Sequence, residues 1–270
     1  LAASIIYDYV SGMQSTGTLA CAKHFLCNQT EFYRRRSNSI VDERAIMEIY
    51  TPAFKAAIDA GVATVMTAYN QLNGEWTGQS KYVITDLLRG TLGFKGLVMS
   101  DWNSIYDWKD VIFSGQNLDM PGEDAFYIKK KPADLVAEGV VTEQDIENMI
   151  RPLIATCLRW GLYDRYNSGK QYDKSLEAKL PAHLEISYKT AAEGAVLLRN
   201  NGILPLTSER KVLVVGKWLD EVAHGGGAAR VTGYDHKTLR ATLPKSFGGE
   251  VTFVEKPSAE QVKGADVVIC

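Results

Sequence analysis

Short apolar, strand-like runs alternate with stretches of helical periodicity along this sequence. TLACAKHF (18–25), ATVMTAYN (63–70), GLVMSDW (96–102) and NLDMPG (117–122) are short, apolar and bounded by turns, as buried strands are. Helical patterns lie between them, and LAASIIYDYVSGMQ reads as a helix already under way at Leu1. Ala45, Ile46, Ile49, Tyr50, Ala53, Phe54, Ala57 and Ile58 share one face at helical spacing, with Asp42 as N-cap and Gly61 as stop. Pro52 inside that pattern predicts a kink or break. YVITDLLRGT (82–91) is the next helix, and Thr142 caps an amphipathic one running from Ile146 to Leu158.

Such alternation implies parallel strands joined by crossovers, either in an open doubly wound sheet or in a (β/α)8 barrel. Polar residues end three separate strands: Lys23–His24, Tyr69–Asn70 and Asp101–Trp102. Chemistry spread over several strand ends is the habit of a barrel, whereas an open sheet gathers its site at a switch point. The expected fold class is therefore α/β. Residues 1–161 form the C-terminal half of a (β/α)8 TIM-like barrel, and the polar stretch 162–182 is a linker. Residues 183–270 begin an α/β sandwich, with a helix over ISYKTAAEGAVLLRN, a turn at NNGILPL and strands at KVLVVG, EVTFVE and ADVVIC. Both ends of the sequence fall inside regular elements, which domains seldom do. The expectation is a piece of a longer chain, with half a barrel that needs the remaining segments of the same protein to close its edges.

Composition narrows the function classes. Lys plus Arg is 30 and Asp plus Glu is 32, a net charge of −2 that argues against a nucleic-acid partner. A 46% hydrophobic and 23% charged composition excludes wholesale disorder. No apolar run approaches the roughly 18 residues of a membrane span. Cys21, Cys27, Cys157 and Cys270 form no CxxC metal pair, and no cofactor is expected.

Asp101 ends a strand beside Trp102, and a carboxylate next to an indole suits a sugar site. An Asp that only caps the next helix is the competing reading. Lys23 and His24 offer donors to sugar hydroxyls, although a Schiff-base lysine can occupy such a place. In the run Arg34–Arg35–Arg36 at most one arginine is expected to point inward, and Glu31 pairs with Arg34 on the surface. Lys129–Lys131 reads as a solvated face. GGGAARV (225–231) lacks the spacing of a phosphate-binding loop.

Taken in order, AKHFLCN (22–28), DERAIMEIYTPAFKAAI (42–58), VMTAYNQLNG (65–74), TDLLRGTLGFKGLVMSDW (85–102), LDMPG (118–122) and EGAVLLRNNGILPL (193–206) resemble glycoside hydrolase family 3. The resemblance implies an exo-acting, retaining β-glycosidase with Asp101 as nucleophile. It implies that Lys23, His24 and Arg34 bind hydroxyls of a terminal glucose, that Tyr69 sits beside the nucleophile, that Trp102 stacks on the sugar and that Met66 lines the pocket. LCNQTE follows KHF where the β-N-acetylglucosaminidase branch carries PGHG, which points to the branch whose acid/base is a glutamate of the second domain. No position before Cys270 matches that glutamate. The glycine-rich loop carries Ala228 where the family often has serine. A β-glucoside or oligosaccharide is the implied partner, with β-xylosidase or exo-β-glucanase as alternatives within the family. A Schiff-base lyase using Lys23 and a carbohydrate-binding protein without turnover are alternatives outside it. Secretion or a periplasm is favoured over the cytoplasm, and the oligomeric state is open.

Overall fold

The four N-terminal apolar runs pair side by side in one parallel sheet. The computed structural model describes residues 1–122, 130–169, 174–222, 224–230 and 237–270, which divide into two compact units, Leu1–Lys174 and Ser175–Cys270. In chain order the first unit holds α1 (Ala2–Ser15), β1 (Cys21–Phe25), β2 (Asn38–Ser39), α2 (Glu43–Ala45), α3 (Pro52–Asp59), β3 (Thr64–Thr67), β4 (Gln71–Leu72) and β5 (Glu75–Trp76). A wide, π-wound helix follows at Tyr82–Thr91, then β6 (Leu97–Trp102), α4 (Trp108–Ser114), β7 (Leu118–Met120), α5 (Pro132–Ala137), α6 (Glu143–Arg159) and α7 (Leu162–Asn167).

The main sheet has the order β1-β3-β6-β7, all parallel. Each strand follows its neighbour in sequence and is joined to it by a helical crossover, as in a partial (β/α)8 barrel wall. The strands are apolar because they are covered: Val65 and Val98 are fully buried, among Phe25, Leu26, Val83, Ile84, Leu87 and Leu88. Phe25 meets Phe54 of α3 edge to face, with ring centroids 4.9 Å apart. At Gly96 the strands approach so closely that a Cβ would lie 2.2 Å from the Ala63 carbonyl oxygen.

The Asp42 carboxylate accepts from the Ala45 amide at 2.8 Å and starts α2. Pro52 produces the expected break. It has no N–H to donate, and the turn before it widens into a π-turn over Ile46–Tyr50, closed by Thr51 N to Ile46 O at 3.0 Å. Thr142 and Asp145 form a capping box at the start of α6.

A second, small sheet of order β2-β4-β5 fastens the loop after β1 to the hairpin after β3. Buried Asn70 adds to this. Its side-chain amide donates to the carbonyls of Leu26 at 3.2 Å, Cys27 at 3.3 Å and Gln71 at 3.0 Å. The C-terminal ends of β1 and β3 are thereby held together.

The stretch 162–182 is more helical than its polar sequence suggests. It holds α7 and a 3-10 turn at Lys174–Lys179, and the division between the units falls after Lys174. The second unit contains α8 (Leu180–Gly194), β8 (Val212–Val215), α9 (Leu239–Phe247), β9 (Val251–Val254), α10 (Ala259–Lys263) and β10 (Val267–Ile269). Its sheet is parallel with order β10-β8-β9, and Val212, Val214 and Leu219 form its core. The helix expected over 186–200 is shifted. Pro181 sits in its first turn, where a missing N–H costs nothing, and the helix stops at Gly194, after which Ala195 is extended. The Asn200 side chain then closes the NNGILPL turn, accepting from Gly202 and Leu204 amides. Of the basic run 129–131, Lys129 lies outside the described residues, and Lys130 pairs with Glu138. Val231 of the glycine-rich stretch also lies outside them.

Candidate active site

β1, β3 and β6 bring their polar ends together. Asp101 sits near the end of β6 and is buried, 6% exposed. His24 Nε2 lies 3.3 Å from its Oδ2, and the Trp102 amide donates to its Oδ1 at 2.7 Å. Tyr69, just past β3 and buried, directs its hydroxyl to the same carboxylate. Burial, then the negative charge and hydrogen bond of Asp101, push that phenol up to about 12, so it remains a donor. Burial holds the His24 imidazole below its usual value, and Asp101 only partly opposes this, so His24 is neutral at neutral pH. The carboxylate thus has two donors, the Tyr69 hydroxyl and the Trp102 amide, with the His24 ring beside it.

The arginine run closes over this pair. Arg34 stacks on the Tyr69 ring at 4.3 Å from its centroid and pairs with Glu31 at 2.7 Å. Arg35 stacks on the same ring at 4.2 Å. Two arginines, not at most one, therefore face inward, while Arg36 is exposed. The reason is the ring itself: its electron-rich face takes two planar cations that a solvated loop would leave in water.

Lys23 is exposed in the middle of β1 rather than at its end, next to His24, where its charge disfavours His24 protonation. Met66 is half-buried on β3. Trp102 is half exposed, with its indole outside the core. The Asp101 region is thus reached by Tyr69 and His24 directly, and Arg34 adjoins it through Tyr69.

Three contributors were not singled out in the sequence. Arg35 donates to the carbonyls of Trp102 at 2.8 Å and Asn103 at 2.5 Å. Ser100 donates to Asp119 at 3.1 Å and accepts from the Met120 amide at 2.8 Å, locking β6 to β7 one residue before Asp101. Asp119 itself is buried, which pushes its carboxyl upward. Its only signal in the sequence was a carboxylate inside the apolar run NLDMPG.

Residues 1–154 match the model of the glycosyl hydrolase family 3 N-terminal domain. The chain belongs to glycosyl hydrolase family 3. Among its relatives in that family is a beta-glucosidase of Rhizobium radiobacter, 35% identical over 238 residues that cover 87% of this chain and 28% of the relative. Beta-glucosidase B of Emericella nidulans is 32% identical over 98% of this chain and 31% of its own length. Among solved structures, beta-glucosidase 3B from Thermotoga neapolitana in complex with alpha-D-glucose has a TM-score of 0.78 at 28% identity, covering 96% of this chain and 35% of that one. The Kluyveromyces marxianus beta-glucosidase matches with a TM-score of 0.78 and 31% identity, over 91% of this chain and 30% of that one. The chain thus spans about a third of the family 3 proteins it resembles.

Proposed function

We propose that the complete protein is an exo-acting, retaining β-glucosidase with Asp101 as its nucleophile. One observation carries this reading: a buried carboxylate held by His24, Tyr69 and a backbone amide, next to a half-exposed indole. The relatives named beta-glucosidases, and the solved neighbour holding glucose, support the substrate class.

In this mechanism the Asp101 carboxylate attacks the anomeric carbon as the glycosidic C–O bond breaks. An acid, a glutamate of the complete protein not assigned in this chain, gives its proton to the leaving oxygen. The same group then takes a proton from water, which displaces Asp101 and restores the β-configuration. The two carboxyl groups of a retaining pair stand about 5–5.5 Å apart. Tyr69 and neutral His24 hold Asp101 without donating a full charge to it, which preserves its nucleophilicity. Lys23, His24 and Arg34 bind the sugar hydroxyls, Trp102 stacks on the ring and Met66 lines the pocket. The barrel domain is assigned to 1–161, the linker to 162–182 and the sandwich to 183–270. A Schiff-base role for Lys23 is disfavoured, because desolvation activates such lysines and Lys23 is exposed.

A 2-deoxy-2-fluoro β-glucoside added to the complete enzyme should label Asp101, located by mass spectrometry of the digest. Asp101→Ala should lower turnover by several orders of magnitude, because no covalent intermediate can form. Label on another carboxylate, or near-normal turnover in the variant, overturns the assignment.

A further inference from the structure

Arg35 is not part of the sugar-binding set just described, and its side chain is committed elsewhere. Its two terminal nitrogens reach successive carbonyls of the turn leaving β6, Trp102 O at 2.8 Å and Asn103 O at 2.5 Å. Its guanidinium lies over the Tyr69 ring at 4.2 Å. Its own carbonyl accepts from the Trp76 indole N–H at 3.3 Å, and Trp76 packs on Tyr106 with centroids 4.4 Å apart. Arg35 is therefore fastened at its main chain on one side and fastens the Asp101–Trp102 turn on the other.

That turn needs fastening. Trp102 is half exposed, so packing alone does not fix its indole. Asn103, the next residue, has a φ of 53°, a left-handed conformation that asparagine adopts more readily than most side chains and that turns the chain sharply after β6. Its amide donates to Met120 O at 2.8 Å, and Ser104 Oγ donates to Asp101 O at 2.9 Å. The two carbonyls between these anchors, those of Trp102 and Asn103, both go to Arg35.

We propose that Arg35 is a positioning residue that sets the orientation of Trp102 at the mouth of the site, and through it the affinity for the sugar. The proposal rests on the reading of Asp101 and Trp102 as a glucoside site. Only a planar fork does this. An ammonium group cannot span two consecutive carbonyls while lying flat on an aromatic face. Arg35 touches neither the nucleophile nor, in the proposed pose, the sugar, so its loss acts on binding more than on the chemical step.

The test uses the complete protein with Arg35→Met and Arg35→Lys, and Trp102→Phe to isolate the Trp102 emission by difference. Both Arg35 variants should raise KM for 4-nitrophenyl β-D-glucoside by about tenfold while kcat falls by less than about threefold, the split expected when ground-state and transition-state binding are lost together. Acrylamide quenching of the Trp102 emission should rise in both, and the response of that emission to added glucose should weaken. Arg35→Lys keeps the charge, so it is the variant to read if Arg35→Met does not fold. Unchanged KM and unchanged quenching in a folded variant overturn the proposal. So does full rescue by lysine, which would mean that charge alone matters. A wild-type protein without glucosidase turnover would instead overturn the functional reading, and the quenching comparison would still decide the link between Arg35 and Trp102.

Discussion

His24 Nε2 on β1 and Asp101 Oδ2 on β6 stand 3.3 Å apart, meeting across the end of the strand that separates them. Their closeness would ordinarily favour a charged imidazole, yet burial wins and the His24 pKa lies below its usual value.

A pH dependence of stability follows from this. The unfolded chain takes up a proton at His24 near the ordinary pKa of about 6.5, whereas the folded protein does so only at lower pH. Between those two values the unfolded state binds more protons, so stability falls as the pH drops below about 6.5 and levels off below the folded pKa. His24→Gln should flatten this part of the profile. Denaturation midpoints of the wild type and variant, compared on both sides of the window, check it. Parallel profiles would show that His24 is not the group responsible.

Tyr69 offers a second test. Its phenol, pushed up to about 12, stays protonated over any working pH and so donates to the Asp101 carboxylate. Tyr69→Phe keeps the ring on which Arg34 and Arg35 lie and removes only the hydroxyl directed at Asp101. Turnover should fall by about ten- to hundredfold, the worth of one hydrogen bond to a charged group. Steady-state rates at saturating aryl β-glucoside measure this, and no new inflection should appear between pH 8 and about 10.

Much of the scaffold was legible because burial leaves a periodic imprint. Val65, Val98 and Leu213 are buried strand residues in apolar runs, and Asp42 and Thr142 are caps whose side chains do what their type suggests. Pro52 was legible as a break, but not as a π-turn, because the missing N–H says where a helix changes and not how its carbonyls find other partners. α8 was misjudged at both ends because its face is exposed along its whole length, and an exposed helix leaves no apolar period to read. At the site, the strand-end residues were visible and their supports were not. Arg35 acts through backbone carbonyls, which carry no sequence signal. Asp119 meets Ser100 across a strand pair whose register only the fold establishes.

Arg89 is the third test. It is half-buried, burial lowers its guanidinium to about 10, and it donates to Gly96 O at 3.1 Å, Gly115 O at 3.2 Å and Asn117 Oδ1 at 2.8 Å. Asn117 in turn accepts from the Val98 amide at 2.8 Å, within β6, the strand that carries Asp101. Arg89→Met preserves most of the volume but takes a charged donor from all three acceptors, of which Asn117 Oδ1 keeps the Val98 amide and Gly115 O the Asn117 side chain. Hydrogen bonds to a charged group are worth about 1.5–3 kcal/mol, so the complete protein should lose stability of about that order. A thermal or urea midpoint equal to that of the wild type would show that water replaces the guanidinium.

Two glycine substitutions should have opposite signs. At Gly96 a Cβ would lie 2.2 Å from Ala63 O and 2.8 Å from the Phe94 ring. The first of these is a backbone atom that cannot swing aside, and it also accepts from the Leu97 amide where β3 and β6 begin to pair. Gly96→Ala must therefore spread the two strands whose ends carry Tyr69 and Asp101. Overpacking of this kind costs about 1–3 kcal/mol, and the displaced strand should lower turnover as well. Gly12 lies inside α1 with nothing within 4 Å of an added Cβ and no left-handed φ to strain. Gly12→Ala removes conformational freedom from the unfolded chain and should stabilise by about 0.4–1 kcal/mol, with turnover unchanged. Midpoints of the two variants in the complete protein decide the matter. Equal shifts, or a tolerated Gly96→Ala, would mean that the close contact between β3 and β6 is not what holds the strand ends in register.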